Sequence, residues 1–206
     1  MLMTTSEEPG DKPVDEPRTT ILLWRSATLA TAERFTDGVI PGGRQLSGLV
    51  LAAVDGEPAT ITYRVVVDDA WRTRTADVEV ERPGVLPLRI ATRLDSAGRW
   101  TRNGEGVDEL DGCVDIELGF TPATATLPIR RLGLAVGESH LVSAARLSFP
   151  GFELAPRDVT YTRLADDRWS CACASGDDDV ELVVDAWGHV LRHGDDRWVA
   201  EARSSR

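Results

Sequence analysis

Residues 61–67 read ITYRVVV, and their alternation points to the fold. Ile61, Tyr63, Val65 and Val67 fall on one face of an extended chain and Thr62 and Arg64 on the other, the two-residue period of a half-buried strand. The same period recurs outward in both directions. In GCVDIELGF (112–120), Val114, Ile116, Leu118 and Phe120 share one side, with Cys113, Asp115 and Glu117 opposite. Similar short runs lie at 46–54, 86–92, 141–149, 158–164, 168–174, 180–185 and 197–202. Turn signals separate them: Asp55-Gly56, Pro83-Gly84, Ser96-Ala97-Gly98, Pro150-Gly151 and Gly176-Asp177. Strands at such regular spacing predict an all-β domain arranged as a meander, sandwich or barrel. A polar turn leads straight to tryptophan three times, at Trp100, Trp169 and Trp198, as expected of cross-strand anchors in hairpins. LATAERF (29–35) is a candidate for one short helix.

Composition narrows the function. The 206 residues carry a formal net charge of -11, which opposes general binding to nucleic acid or to anionic membrane surfaces. Residues 1–20 are polar, acidic and proline-rich and read as a disordered tail; residues 21–206 show one composition regime and are expected to form a single domain. No secretory signal and no apolar run of membrane-spanning length is present, so cytoplasmic residence is the default. Three cysteines, Cys113, Cys171 and Cys173, fit a reducing compartment better than a disulfide framework.

Metal and cofactor chemistry finds no motif. His189 and His193 are four apart in a strand-turn context, where they would stand about 13 Å from each other, and they read as a surface or hairpin pair. Cys171 and Cys173 share a strand face without a second ligand pair and read as buried small residues. The run Asp177-Asp178-Asp179 lacks the offsets of a calcium loop. Asp115 and Glu117 project to one side of a strand, where two carboxylates could act as acid and base or simply face water. No catalytic residue is assigned.

The arginines are more informative. In WRTRTADVEV (71–80), Arg72 and Arg74 share parity with Val78 and Val80, so an unbroken strand carries two guanidinium groups onto the apolar face. A bulge near Thr75 would turn them outward. FTPATATLPIRRL (120–132) raises the same question. Pro122 and Pro128 suggest an irregular or edge segment, with a strand resuming at Leu127 that sends Arg130 and Arg131 to opposite faces. Thr124 and Thr126 place hydroxyls beside them.

LDGCVDIELGFTPATATLPIRRL (110–132) closely resembles the signature of a bacterial family of glycolipid-binding proteins. The resemblance extends to Tyr63, WRTR (71–74), GRW (98–100), YTRL (161–164) and the segment Val184–Val190, and covers nearly the whole chain after residue 21. Where the family motif carries an aromatic and an amide, this chain has Ala123 and Ala125. The resemblance implies a single curved antiparallel sheet forming a spiral β-roll, or open half-barrel, related in shape to lipoprotein carriers. It also implies non-covalent binding of a glycolipid or other amphipathic acyl ligand, without a cofactor. In that reading aliphatic residues of the concave face take the tail. Arg72, Arg74, Arg130 and Arg131 meet the head group, with Thr124 and Thr126 adding hydrogen bonds and Trp71 or Trp100 stacking on a sugar. Asp115 and Glu117 sit beside them. The alternatives are an interaction module whose groove is filled by its own side chains, the arginines then pairing with Asp115 and Glu117, or an enzyme using that carboxylate pair. An exposed sheet edge would offer a route to a homodimer.

Overall fold

The structure, a computed structural model, describes residues 18–26, 28–173, 179–194 and 196–206. All but the last three residues of the expected N-terminal tail therefore lie outside the described residues, as do Asp177 and Asp178 of the acidic run. The chain forms one 15-stranded sheet. Its first half is a meander of β1 (Thr19–Ser26), β2 (Thr31–Ile40), β3 (Gly43–Val54), β4 (Glu57–Asp68), β5 (Thr73–Glu81), β6 (Leu88–Leu94), β7 (Trp100–Arg102) and β8 (Glu105–Gly106). The second half runs through β9 (Asp115–Leu118), β10 (Ser139–Leu147), β11 (Leu154–Arg163), β12 (Arg168–Cys173), β13 (Val180–Val184), β14 (Val190–His193) and β15 (Trp198–Ser205). Strands β1 and β15 pair antiparallel, Thr20 opposite Ser205, and so join the halves into one surface. LATAERF contributes to β2 and not to a helix: Thr31, Glu33 and Phe35 alternate inward with period two, and pairing with both neighbours overrides its weak helical pattern.

The sheet is curved and open, not a closed barrel. Three register shifts, between Leu23 and Trp24, Val66 and Val67, and Val183 and Val184, each interrupt a ladder, and such bulges increase local twist and bend strands. The curl brings the edge strand β9 against β5. Unlike every other pair, β9 and β10 run parallel, which departs from the purely antiparallel sheet expected. Both faces of β9 are buried, Asp115 on one and Ile116 and Leu118 on the other. Its outer edge is satisfied by hydroxyls: Thr73 Oγ1 accepts the Ile116 amide at 3.0 Å and Thr124 Oγ1 accepts the Leu118 amide at 3.1 Å. An inward edge strand thus has no open amides along this stretch.

Phe120–Leu132 lies inside the curl. Here sequence reasoning misjudged the local structure: the segment forms a 3₁₀ turn (Ala123–Ala125) running into helix α1 (Thr126–Leu132), with no strand at Leu127. Pro128 is tolerated because it falls in the first helical turn, whose amides have no intrahelical acceptor. Gly133, at φ 55°, supplies the left-handed residue that ends the helix. Phe120, Ala123 and Leu127 pack into a core formed with the first half of the sheet. Ile129 packs into a second core under β10–β14. Full burial of a side chain such as Leu127 is worth roughly 1.5–3 kcal/mol, so this segment is an internal plug joining two cores.

Candidate functional site

The turn between β4 and β5 is organised by Asp68. Its Oδ1 accepts the amides of Ala70 and Arg72, and its Oδ2 accepts Arg74 Nη2 at 2.6 Å. Val66 pairs with Thr75 but Val67 with Thr73, which leaves Arg74 as the extra residue of a bulge. The continuous strand that would have carried Arg72 and Arg74 inward is therefore absent. Thr73 enters the interior instead, and both arginines are exposed. Trp71 occupies a left-handed backbone conformation, φ 62°, which costs an L-residue roughly 1–2 kcal/mol. Burial of its indole offsets that strain. The guanidinium centres of Arg44 and Arg130 stand 5.6 and 5.1 Å from the ring centroid, within cation–π range.

Helix geometry sends the two adjacent arginines of the plug apart. Arg130 goes to Trp71, while Arg131 forks onto Asp115 with contacts of 3.1 and 2.6 Å. Burial pushes the Asp115 carboxyl up from its ordinary pKa, against the downward pull of Arg131. Glu117, two residues on, is gripped by Arg146 and by Arg157, the latter at 2.6 Å. The two carboxylates are thus separately committed to arginines, Asp115 buried and Glu117 partly exposed.

Arg72, Arg74 and Arg131 come together, with Arg99, around a surface depression of about 520 Å³ that Asp95 and Asp111 also line. Arg74 is paired with Asp68, Arg131 with Asp115, and Arg99 with Asp95 at 2.9 Å. The Arg99 amide, the Arg99 side chain and the Ala97 amide hold Asp95 below the ordinary carboxylate range. Three of the four guanidinium groups around the hollow are thus paired with carboxylates. Glu117 lies elsewhere, beside the β10–β13 wall. Trp100 is 1% exposed, its Nε1 donating to the Cys113 carbonyl at 2.9 Å, so it anchors the core. Thr124 caps β9, and Thr126 is fully buried with no hydrogen-bond partner for its hydroxyl among the described residues.

Two buried polar clusters were not read from the sequence. Tyr63 donates to Glu33 Oε1 at 2.5 Å inside the first core. Complete burial pushes the Glu33 pKa up to about 8, against hydrogen bonds from Tyr63 and Thr121 that lower it. His189 is a correction: it is no surface residue but 1% exposed, with Nδ1 and Nε2 each 2.9 Å from a carboxylate oxygen, of Asp185 and Asp37 respectively. Burial lowers its pKa, yet the two carboxylates raise it further, and the net shift is upward. Arg44 continues the network to Asp37 and Arg203 to Asp185. Arg99 stands in a motif already singled out, GRW. Arg146 and Arg157 were legible by parity, since they share faces with Val142 and Ala144 and with Val159 and Tyr161.

An open β-roll with an internal helical plug and an arginine-and-aspartate-rimmed hollow defines the class of this protein. The chain belongs to the family described as "Putative glycolipid-binding", which it matches over residues 21–195. It is also similar to the crystal structure of a DUF1089 family protein from Pseudomonas aeruginosa, with 26% identity, coverage of 93% of this chain and 97% of that one, and a TM-score of 0.72. Comparison with curated proteins gave no match. No helix among the described residues is long and apolar enough to cross a membrane.

Proposed function

We propose that the protein binds the neutral, hydroxyl-rich head of a glycolipid-like molecule in the depression between the β4–β5 turn, the β6–β7 turn and the end of α1. The carrying observation is the pairing of charge there: Arg72, Arg74, Arg99 and Arg131 line the depression with Asp95 and Asp111, while Asp68 and Asp115, outside the lining, pair Arg74 and Arg131. A phosphate needs a surplus of unpaired cations, whereas sugar hydroxyls both donate and accept, and paired guanidinium and carboxylate groups serve both roles. The family description supports a binding role. Because Phe120–Leu132 occupies the inside of the roll, the tail stays outside the protein and only the head is recognised.

Calorimetric titration with methyl and octyl glycosides, and with a sugar phosphate, tests this. Neutral glycosides should bind with affinity indifferent to chain length, and Arg72→Ala with Arg99→Ala should remove binding. A gain approaching 0.8 kcal/mol per added methylene, the approximate value of a buried CH₂, would show the tail to be buried and overturn the reading. A protein that ignores every glycoside would favour the interaction module, which the packed interior also suits.

A further inference from the structure

The two turns that flank the depression are built alike. Asp68-Asp69-Ala70-Trp71-Arg72 leads from β4 to β5 and Asp95-Ser96-Ala97-Gly98-Arg99 from β6 to β7, so each reads Asp-x-Ala-x-Arg. In each, the aspartate Oδ1 accepts the amides two and four residues on, at 2.9 to 3.0 Å. The aspartate amide donates to the arginine carbonyl, and its own carbonyl accepts the amide of the fourth residue. That fourth residue is left-handed, Trp71 in one turn and Gly98 in the other. A third copy, Asp185 to His189, follows the same bonding, but its last side chain is the buried His189. The turn is therefore a device of the fold. What sets the first two copies apart is their arginines: Arg72 and Arg99 are both exposed, and both line the same hollow.

We infer that the depression takes a head of two linked sugar rings, one seated against each turn; this rests on the head-group reading above and narrows it to disaccharide heads. Each wall is equipped for one ring. Asp68 with Arg74 on one side and Asp95 with Arg99 on the other form separate carboxylate–guanidinium pairs, and such a pair offers both the acceptors and the donors that a ring's hydroxyls need. The hollow is also larger than one ring. A hexose unit has about eleven heavy atoms, and even at the ~30 Å³ that liquid water allots to each molecule it would occupy at most about 330 Å³. The hollow measures about 520 Å³, so a single ring would leave roughly a third of it to water. Two charged lining groups, Arg72 and Asp111, make no ion pair or side-chain hydrogen bond among the described residues. They come from different elements, the β4–β5 turn and the segment leading into β9, and leave one donor group and one acceptor group open to the ligand.

Calorimetry and ¹⁵N NMR on the intact chain test this with methyl glycosides matched in their terminal ring: glucoside with maltoside, and galactoside with lactoside. At least one disaccharide should bind about tenfold or more tightly than its single-ring partner, because linking two contacts makes the second intramolecular. It should shift the amides of both turns, 70–74 and 96–99, along one saturation curve. Arg72→Ala and Arg99→Ala, made singly, should each weaken the disaccharide about tenfold, the usual worth of a hydrogen bond to a charged group. A single ring, free to use the other wall, should lose about twofold at most from either change. Arg72 has no side-chain partner to lose, so its variant keeps the fold; should the Arg99 variant fail to fold, the shifts at 96–99 in the unmodified protein still report on that wall. Equal affinity for one ring and two, shifts confined to one turn, or arginine variants that weaken both ligands alike would overturn the inference and leave the head-group reading standing. A protein that binds no glycoside of either length would overturn both.

Discussion

Glu33 offers the sharpest physical test of the interior. Its carboxyl is buried among Tyr63, Thr121 and Gly48, and its pKa rises from about 4.5 to about 8. Below pH 4.5 the group is neutral in both folded and unfolded chains and contributes no pH dependence. Between 4.5 and 8 the unfolded chain ionises while the folded one stays protonated, so stability falls as pH rises. The slope is about 1.4 kcal/mol per pH unit, and the whole span amounts to about 5 kcal/mol. Glu33→Gln keeps the shape and an acceptor for Tyr63 but cannot ionise. Urea unfolding at pH 5, 6, 7 and 8 should therefore show the variant gaining on the parent by about 1.4 kcal/mol at each step. At pH 5 the buried amide, facing the side where Oε2 has no partner, should make the variant the less stable of the two by roughly 1–3 kcal/mol. By pH 8 the order should reverse. Curves that run parallel across this range would mean that Glu33 is ionised in the folded protein, and the reasoning from burial would be wrong.

Gly48→Ala should destabilise by about 1–3 kcal/mol in urea melts, the usual cost of overpacking, because the added Cβ would meet the Tyr63 ring at 2.3 Å and Glu33 Oε1 at 2.6 Å. His189, whose pKa is raised above 6.5, should remain an imidazolium past that pH in ¹⁵N NMR titrations; its stabilising contribution is complete below 6.5 and is lost as pH rises through the folded value. Asp37→Ala, which strips Nε2 of its carboxylate and Arg44 of one ion pair, should cost about 3–5 kcal/mol. For Asp115 and Arg131, either single truncation should destabilise comparably, whereas Asp115→Leu with Arg131→Met should be near neutral by thermal unfolding, as apolar replacement of buried pairs often is. That double variant should still lose glycoside binding.

The all-β character was legible because period-two alternation is a local property of each strand, and turn residues separate the runs. ITYRVVV shows this plainly: Ile61, Tyr63, Val65 and Val67 are all buried. The three turn-to-tryptophan echoes likewise resolve into buried anchors on β7, β12 and β15. The plug was misread for an equally physical reason. Prolines argue against a central strand but are compatible with the first turn of a helix, and Gly133 was the stop signal that distinguishes the two. Ala123 is fully buried in that plug and Ala125 lines a small cavity beside β10–β13, so the two departures from the family motif bear on packing and on cavity shape.

Where the arginines go could not be settled by pattern, because a single inserted residue reverses every face beyond it. At Arg74 that residue is the bulge itself, and the consequence is functional: were Arg74 paired opposite Val67 in a regular ladder, Arg72 and Arg74 would enter the roll and Thr73 would leave it. Thr73 would then no longer cap the Ile116 amide, and the depression would lose a guanidinium on its rim. Bulge, edge cap and rim are therefore one device, specified by the five residues from Asp68 to Arg72 folding back on the Asp68 carboxylate. Deleting Arg74 removes the bulge yet leaves Thr73 opposite Val67, so amide protection at Ile116 should be kept while glycoside binding is lost with the rim guanidinium. Loss of protection at Ile116 would mean that the bulge itself holds Thr73 in place, and would refute this argument from register.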